Sequence, residues 1–230
     1  MISNVLTYNV NGLPLTQARS FAGRFMKDRA AIWVITETHV DKSEKEQLAK
    51  ALLRIRGLGY ACSCWDRSRD VTRTGKEGNR KKGVLVMWKK GELEVRKVVD
   101  WDAGRHMQVD FGVKGKPGTV LRLQAVYAPA VRGERRGWWN TLTTRLGNAE
   151  HELLVGDFNW APSREHVSGK WKDQGMRDEW QGWMLRAGWC EPLCSGYTFT
   201  PSVKVFGLVA GSLHPKVQWE SPVLLQSSCQ

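Results

Sequence analysis

The stretch Glu152-Leu-Leu-Val-Gly-Asp-Phe-Asn-Trp-Ala-Pro-Ser163 carries the most informative pattern in the chain. Its apolar run 153–155 predicts a short buried β-strand. Gly156 is expected to end this strand and to let the backbone turn tightly. Asp157 and Asn159 then lie where the strand passes into a loop. Because they are two residues apart in an extended segment, their side chains are expected to point the same way.

A carboxylate and an amide at the end of a buried strand destabilise a fold unless they are paired. Asp157 and Asn159 therefore suit a site in which the carboxylate takes a proton and the amide orients an oxygen atom. The alternative is an ordinary turn, because Gly, Asp and Asn all favour turns. The remainder of the chain decides between these two interpretations.

The composition indicates a basic globular protein. The chain has 230 residues, of which 41% are apolar and 25% charged, and its net charge is +12. This length allows one large domain or two small ones. The charge favours a polyanionic partner, with nucleic acid first and an anionic membrane second. The alternative is a solvated basic surface that has no specific partner.

The sequence shows no signal peptide and no apolar run of about 18 residues, so no transmembrane helix is predicted. We expect an intracellular protein, nuclear or cytoplasmic, that is monomeric. The five cysteines are odd in number and irregularly spaced: Cys62, Cys64, Cys190, Cys194 and Cys229. No histidine follows at the spacing of a zinc finger, so reduced thiols are favoured over a zinc site.

Strand and helix patterns alternate along one uninterrupted chain. Strands are predicted at 5–10, 31–35, 59–65, 83–88, 92–101, 106–113, 119–127, 153–155, 197–200 and 203–209. Helices are predicted at 17–29, 44–56, 132–147 and 177–187, and a capping box of Ser43 and Glu46 opens the second.

We expect a single domain at 1–211, followed by an irregular tail at 212–230. The loop 66–82 is either a basic arm, ending in Arg80, Lys81 and Lys82, or a solvated hairpin tip.

Polar side chains lie at the ends of several of these strands. They are Asn9, Glu37, Tyr127, Asp157 and Asn159. Taken singly, each has an ordinary structural explanation, which for Glu37 is a cap on the next helix. Taken together, they are an oxygen-rich set of the kind that loops assemble into a site. A glutamate with amide neighbours suits Mg²⁺, which uses few carboxylates and keeps several waters.

The sequence resembles the exonuclease/endonuclease/phosphatase superfamily, and within it the endonuclease domains of LINE-type retrotransposons, which are relatives of the apurinic-site endonucleases. The matching pieces follow the order of that family. They are Thr7-Tyr-Asn-Val-Asn-Gly-Leu13, Thr36-Glu-Thr-His39, Gly83-Val-Leu-Val86, Val126-Tyr-Ala-Pro129, Gly156-Asp-Phe-Asn159 and Tyr197-Thr-Phe-Thr200. The Glu-Thr-His and Gly-Asp-Phe-Asn pieces are the most specific.

The resemblance implies a fold, a cofactor and a partner. The fold is a DNase I-like α/β sandwich of two sheets flanked by helices, the cofactor Mg²⁺ or Mn²⁺, and the partner DNA. Glu37 would hold the metal with Asn9 nearby, and Tyr127 would lie at the scissile phosphate. Asp157 and Asn159 would orient or deprotonate the attacking water. Thr198 would lie by the DNA groove. Apart from the resemblance, the basic charge of the loop 66–82 makes Arg80, Lys81 and Lys82 candidate DNA contacts.

The C-terminal part departs from the family pattern. From the family pattern, a Ser-Arg-(Ile/Leu)-Asp strand and a Ser-Asp-His motif are expected after Thr200. The Ser-Asp-His motif would supply an acid–base pair. Residues 201–230 contain no Asp, and Glu220 is their only acid. In Ser212-Leu-His-Pro-Lys-Val217, Leu213 stands where the Asp is expected, so we interpret His214 as a chance match. We therefore expect incomplete C-terminal strands, an open sheet edge and impaired activity.

Three functions are compatible with these residues. The first is a Mg²⁺-dependent endonuclease of retroelement origin that nicks DNA with impaired activity. The second is a non-catalytic nucleic-acid-binding remnant of the same fold. The third is a hydrolase that acts on small phosphoesters such as inositol phosphates or sphingomyelin.

Overall fold

The computed structural model describes residues 5–66, 82–146, 149 and 151–159. It also describes five helical positions between 178 and 186, and the backbone of three short strands between 199 and 211. Some of the sequence-based predictions concern residues outside these ranges. They are those for Thr198, Arg80, Lys81, Cys190, Cys194, Cys229, His214 and the tail 212–230.

Eleven strands and three helices of the described residues have defined bounds. In chain order these are β1 (Val5–Asn9), α1 (Leu15–Phe25), β2 (Ile32–Thr36), α2 (Lys45–Leu52), β3 (Leu58–Ser63), β4 (Val84–Lys89), β5 (Leu93–Asp102), β6 (His106–Val113), β7 (Val120–Tyr127), α3 (Arg132–Thr143), β8 (His151–Asp157), β9 (Phe199–Thr200), β10 (Val203–Lys204) and β11 (Gly207–Gly211). The helical positions 178, 179, 181, 182 and 186 lie inside the helix predicted at 177–187.

Nine of the eleven strands form two mixed sheets, and β9 and β10 form a separate two-stranded sheet. The first has the order β1-β2-β4-β3, and the second has the order β11-β8-β7-β6-β5. Each sheet contains one parallel pair, β1 with β2 and β7 with β8. A parallel pair needs a crossover connection, and α1 and α3 provide these two crossovers.

The apolar faces of the two sheets pack against each other. Val34 and Val86 of the first sheet share one buried cluster with Phe111, Leu123 and Val155 of the second. Burial on both faces explains why β2 and β4 are continuous apolar runs, the pattern that predicted them from the sequence. The predicted α/β sandwich of two sheets is confirmed.

Helices α1 and α2 cover the outer face of the first sheet. Phe25 of α1 lies with its ring centre 5.5 Å from that of Trp33 on β2. Leu48 and Leu52 of α2 are fully buried in the same cluster. No helix among the described residues has the length and apolar character that a membrane span needs.

The outer face of the second sheet is polar although it is buried. On β6, His106 and Asp110 alternate with residues that face the sandwich interior, so they point outward. His106 Nε2 donates to Gln124 Oε1 over 2.8 Å, and Gln124 Nε2 donates to Glu152 Oε1 over 2.7 Å. Arg122 Nε donates to Asp110 Oδ1 over 2.9 Å. These contacts satisfy groups that would otherwise be costly to bury.

The helix at 44–56 begins differently from the prediction. Its capping box consists of Asp41 and Glu44, not of Ser43 and Glu46. Asp41 Oδ1 accepts from the Ser43 backbone, and Glu44 Oε2 accepts from the Asp41 backbone over 2.9 Å. A 3-10 turn, Lys42–Glu44, then leads into α2. Both pairs fit the capping pattern, and the extended backbone of Asp41 selects one of them.

Gly156 does not end its strand as predicted, because β8 continues through Asp157. Its φ is +149°, and a Cβ atom on it would lie 1.8 Å from the Val126 carbonyl oxygen on the neighbouring strand β7. The glycine is required because two backbones approach each other closely, not because the chain turns.

The C-terminal strands are short, since β9 and β10 pair over only two residues each. Strand β11, however, pairs antiparallel with β8 along all five of its residues. It therefore covers the edge of β8 that we expected to be open. Strands β9, β10 and β11 are the strands after β8 that the structure describes.

We expect Gly156→Ala to lower the free energy of unfolding by about 3 kcal/mol or more, because the added methyl group meets backbone that cannot move aside. Gly133→Ala in α3 is the matched control, since a Cβ there has nothing within 4 Å. That control should be neutral or stabilising by up to about 1 kcal/mol. Urea unfolding of both variants measures the difference, and equal midpoints would contradict the packing argument.

The pKa of His106 is lowered to about 4, mainly by burial; the hydrogen bond with Gln124 opposes this shift, and the nearby Arg145 adds a smaller decrease. Between pH 6.5 and pH 4 the unfolded chain binds a proton that the folded chain does not. The contribution of His106 to the free energy of unfolding is therefore fully present above pH 6.5. It is lost as the pH falls towards 4, by on the order of 3 kcal/mol.

We expect His106→Gln, which keeps a donor for Gln124, to lose less stability than the wild type between pH 7 and pH 4.5. Urea unfolding at both pH values gives the comparison. Carboxylates contribute equally in both proteins, so the difference between them isolates His106. Identical losses in the two proteins would show that this histidine is not held neutral.

Candidate active site

The two parallel strand pairs bring polar residues to one end of the sandwich. Asn9 is in register with Thr36, the residue before Glu37, at the ends of β1 and β2. Tyr127 is in register with Asp157 at the ends of β7 and β8. Since parallel strands end at the same edge of a sheet, each sheet presents two polar positions there.

Two hydrogen bonds join these positions across the sandwich. The Tyr127 hydroxyl donates to Glu37 Oε1 over 2.8 Å, and Asn9 Nδ2 donates to Asp157 Oδ2 over 2.8 Å. Each bond joins one residue of the first sheet to one of the second. The structure thus brings together four of the site residues that were nominated from the sequence.

Asp157 is held by donors at both carboxylate oxygens. It is 1% exposed, and its Oδ1 accepts from the backbone N–H of Asn159 over 2.9 Å. Asn9 occupies the other oxygen. Asn159 has a φ of +53°, and its Nδ2 donates to the Ala128 carbonyl over 2.7 Å. The carboxylate is therefore fixed in orientation as a hydrogen-bond acceptor, in the manner of an Asx turn.

Tyr127 remains protonated at neutral pH. Burial raises the pKa of its phenol well above the ordinary value, and the Glu37 and Asp157 carboxylates raise it further. A hydrogen bond from Asn159 acts in the opposite direction but is a smaller effect. Tyr127 is therefore a neutral O–H donor placed among carboxylates.

Glu37 lies in a tightly constrained loop. Its φ is +53° and that of His39 is +56°, which is uncommon for residues other than glycine. The Gly12 N–H donates to the Glu37 carbonyl over 2.7 Å. A Cβ on Gly83 would lie 2.1 Å from Thr38 Oγ1, so this loop fits only against a glycine. The strained backbone aims the Glu37 carboxylate at the site.

The structure adds two residues that were not nominated from the sequence. His39 Nε2 lies 4.0 Å from Glu37 Oε2. The Arg105 guanidinium lies 5.5 Å from the centre of the Tyr127 ring and donates to the Tyr127 carbonyl over 3.4 Å. His39 was visible in the Glu-Thr-His motif. Arg105 had no signal, because one arginine in a hairpin turn cannot be distinguished from a solvated charge.

Of the three predicted basic contacts, only Lys82 is described. Its carbonyl accepts from the His39 N–H over 2.9 Å, so the end of the basic loop lies beside the site. Thr198 and the other two basic residues lie outside the described residues.

The donor set fits a hard divalent cation. Glu37 offers a carboxylate that is 12% exposed, and Asn9 is in register with Thr36, the residue before Glu37. Mg²⁺ uses one or two carboxylates and otherwise keeps its waters. The described residues contain no group of three or more His, Cys, Asp or Glu side chains arranged around a metal position. Such a group is what a structural zinc ion requires, whereas Mg²⁺ does not.

Several solved structures share this fold. The 3′ phosphatase NExo from Neisseria, solved with a product DNA hairpin, has a TM-score of 0.64 at 17% identity, with 90% of this chain and 86% of that chain covered. The AP endonuclease LMAP from Leishmania major has a TM-score of 0.61 at 15% identity, with 91% and 79% covered. The endonuclease domain of TRAS1, a telomere-specific non-LTR retrotransposon, has a TM-score of 0.56 at 15% identity, with 90% and 83% covered.

At these identities the solved structures establish the fold alone. A comparison with curated protein sequences found no match. The model of the Endonuclease/Exonuclease/phosphatase family, in contrast, matches residues 6–209, which include every motif piece that carried the resemblance. The protein therefore belongs to the endonuclease/exonuclease/phosphatase family, whose DNase I-like sandwich carries the polar cluster at one end.

Proposed function

We propose that this protein is a Mg²⁺-dependent phosphodiesterase that nicks DNA, is of the retroelement endonuclease type and has reduced activity. We expect that Mn²⁺ can replace Mg²⁺ as the metal cofactor. The observation that carries the proposal is the pair of hydrogen bonds across the sandwich, Tyr127 to Glu37 and Asn9 to Asp157. They assemble a metal-binding carboxylate, a phenol donor and an oriented carboxylate within one polar cluster.

Asp157 has the properties of the group that activates water. Both of its oxygens are oriented by donors, from Asn9 and from the Asn159 backbone, and it can take a proton from a water placed against it. Asn159 is positioned to orient that water or a phosphoryl oxygen. Such pre-set orientation lowers the barrier, because no reorganisation is needed at the moment of reaction.

Tyr127 has the properties of a donor to the phosphate. As a protonated phenol it can donate to a non-bridging phosphoryl oxygen when the Glu37 carboxylate binds a cation instead. Glu37 would be the principal metal ligand, with Asn9 nearby. When bound, the Mg²⁺ ion would polarise the phosphoryl group and offset its developing charge.

The charge distribution supports DNA as the partner. The whole chain carries +12, and Lys82, at the end of the basic loop 66–82, contacts the backbone of His39 close to Glu37. Arg105 adds a guanidinium next to Tyr127. Neutralisation of phosphates by such side chains supplies most non-specific affinity for DNA.

We further propose that the protein acts as a monomer inside the cell, in the nucleus or cytoplasm, and that Thr198 lies by the DNA groove.

Reduced activity is proposed because the acid–base pair of the family ending is not recognisable in the sequence after Thr200. A general acid–base group contributes about 10²–10⁴-fold to a rate. The residues up to Asn159 can bind the metal and orient the water, so slow nicking with intact DNA binding is the expected result.

Glu37→Gln should abolish the Mg²⁺-dependent conversion of supercoiled plasmid to open circles, because it removes the charged ligand but keeps the side-chain shape. Glu92→Gln, an exposed acid at the opposite end of the sandwich, is the matched control and should nick like the wild type. Nicking that survives in Glu37→Gln would refute the metal assignment. Wild-type release of phosphate from inositol phosphates without nicking would favour the small-phosphoester alternative.

DNA affinity should fall steeply with salt, and replacing Arg80, Lys81 and Lys82 by Ala should reduce the slope of log K against log salt by about 1 for each phosphate that is no longer neutralised. The control variant replaces Arg54, Arg56 and Lys90 by Ala. This removes three charges at the other end of the first sheet. Fluorescence anisotropy with unrelated duplexes measures both. Equal slopes in the two triple variants would exclude the basic loop as the part that binds DNA, and a weakening confined to one duplex would indicate base readout.

A further inference from the structure

A cleft of about 410 Å³ opens beside the candidate active site, between the β5–β6 turn and helix α3. We refer to it as the turn cleft. Its walls include Trp101, Arg105, Pro129, Glu134, Trp138 and Arg145. The volume lies within the range of about 300–1,000 Å³ that is usual for small-molecule sites. Neither the family assignment nor the proposed chemistry uses this space.

Trp101 gives the turn cleft a fixed aromatic surface. Its indole N–H donates to Gln108 Oε1 over 3.2 Å, which orients the ring, yet the residue remains 41% exposed. The Arg145 guanidinium lies 4.9 Å from the ring centre. The His106 ring also stacks with it, at a centroid distance of 6.4 Å, so these two side chains hold the indole in place. The part of the indole that remains exposed offers a fixed flat surface for a planar ligand.

The polar groups of the turn cleft are mixed. Arg105 and Arg145 supply guanidinium donors, whereas Asp102 and Glu134 supply carboxylate acceptors. His106, which also lines the cleft, is neutral at pH 7 because burial lowers its pKa to about 4. Two cations balanced by two anions do not suit a simple anion. They suit the edge of a nucleobase, which presents both donors and acceptors.

The turn cleft shares a wall with the candidate active site. Arg105 lines the cleft and contacts both the ring and the carbonyl of Tyr127. Pro129, on the same wall, follows Tyr127 by only two residues. A strand whose phosphate lies at the Tyr127–Glu37 pair would therefore bring an adjacent nucleotide to the mouth of the cleft.

We propose that the turn cleft binds an unpaired base of the substrate strand, next to the scissile phosphate, and stacks it on Trp101. The inference rests on the proposed function for the position of the phosphate. Stacking on an aromatic side chain accepts every base, because each has a flat π-face. The cleft would thus favour DNA in which the nucleotide beside the cleavage position is unpaired or easily unpaired.

The test uses a single-stranded hexanucleotide that carries one 2-aminopurine, placed at each position in turn, with EDTA present so that no cleavage occurs. Stacking quenches 2-aminopurine fluorescence. We expect quenching at one preferred position in the wild type. Trp101→Ala should remove this quenching and weaken binding by about 5- to 150-fold, the effect of losing one stacked base.

Two further variants make the result specific to the ring. Trp101→Phe keeps a flat aromatic surface and should retain most of the affinity. Val98→Ala changes another exposed residue of β5, outside the cleft, and should bind like the wild type. Circular dichroism verifies that each variant is folded. Unchanged quenching in Trp101→Ala would overturn the proposal, as would a free 2-aminopurine nucleotide that binds as tightly as the hexanucleotide.

The plasmid assay separates this proposal from the proposed function. If the wild type nicks in a Glu37-dependent manner but shows no Trp101-dependent quenching, the turn cleft alone is refuted. If Trp101-dependent quenching is observed without any nicking, the cleft binds a base and the proposed catalytic function is refuted.

Discussion

The hydrogen bond between Asn9 and Asp157 is the contact that stabilises the polar end of the sandwich. Asp157 is 1% exposed, and a buried carboxylate is tolerated only when donors surround it. Asn9 provides a donor from the other sheet, and the Asn159 backbone provides the second. The register of β1 against β2, and of β7 against β8, must therefore be maintained for the fold to be stable as well as for the chemistry.

Backbone strain in the described residues is concentrated at the same end. The described residues other than glycine that have a positive φ are Asn11, Glu37, His39 and Asn159. All four lie in loops that leave β1, β2 or β8 at the polar end. Strained conformations of this kind persist where the surrounding structure holds them, and they commonly mark functional loops. The glycines at 83 and 156 allow the close approaches that hold these loops in place.

The buried polar face of the second sheet leads into the turn cleft. His106, Gln124 and Glu152 form a chain of hydrogen bonds along its outer face. This chain ends at the turn cleft, where Arg145 donates to His106 Nδ1 over 3.4 Å and also lies over Trp101. The same network that satisfies buried groups therefore also fixes the orientation of the cleft residues.

Local sequence patterns were enough to predict the strands and to identify the main polar residues. Continuous apolar runs marked β2 and β4, and the strand ends carried Asn9, Glu37 and Asp157. These signals are local, because the period of a strand and the residue that follows it are readable within one short window. The resemblance based on the motif pieces also agreed with the family assignment.

Which of these residues meet, and why certain others are needed, became apparent only from the packing of the two sheets. Tyr127 and Glu37 are 90 residues apart, and Asn9 and Asp157 are 148 apart, so no local pattern could pair them. The role of Gly156 depends on the carbonyl of a neighbouring strand, and that of Arg105 depends on the ring of Tyr127. The physical reason is the same in each case: a close approach between distant segments is a property of packing, which a single stretch of sequence does not encode.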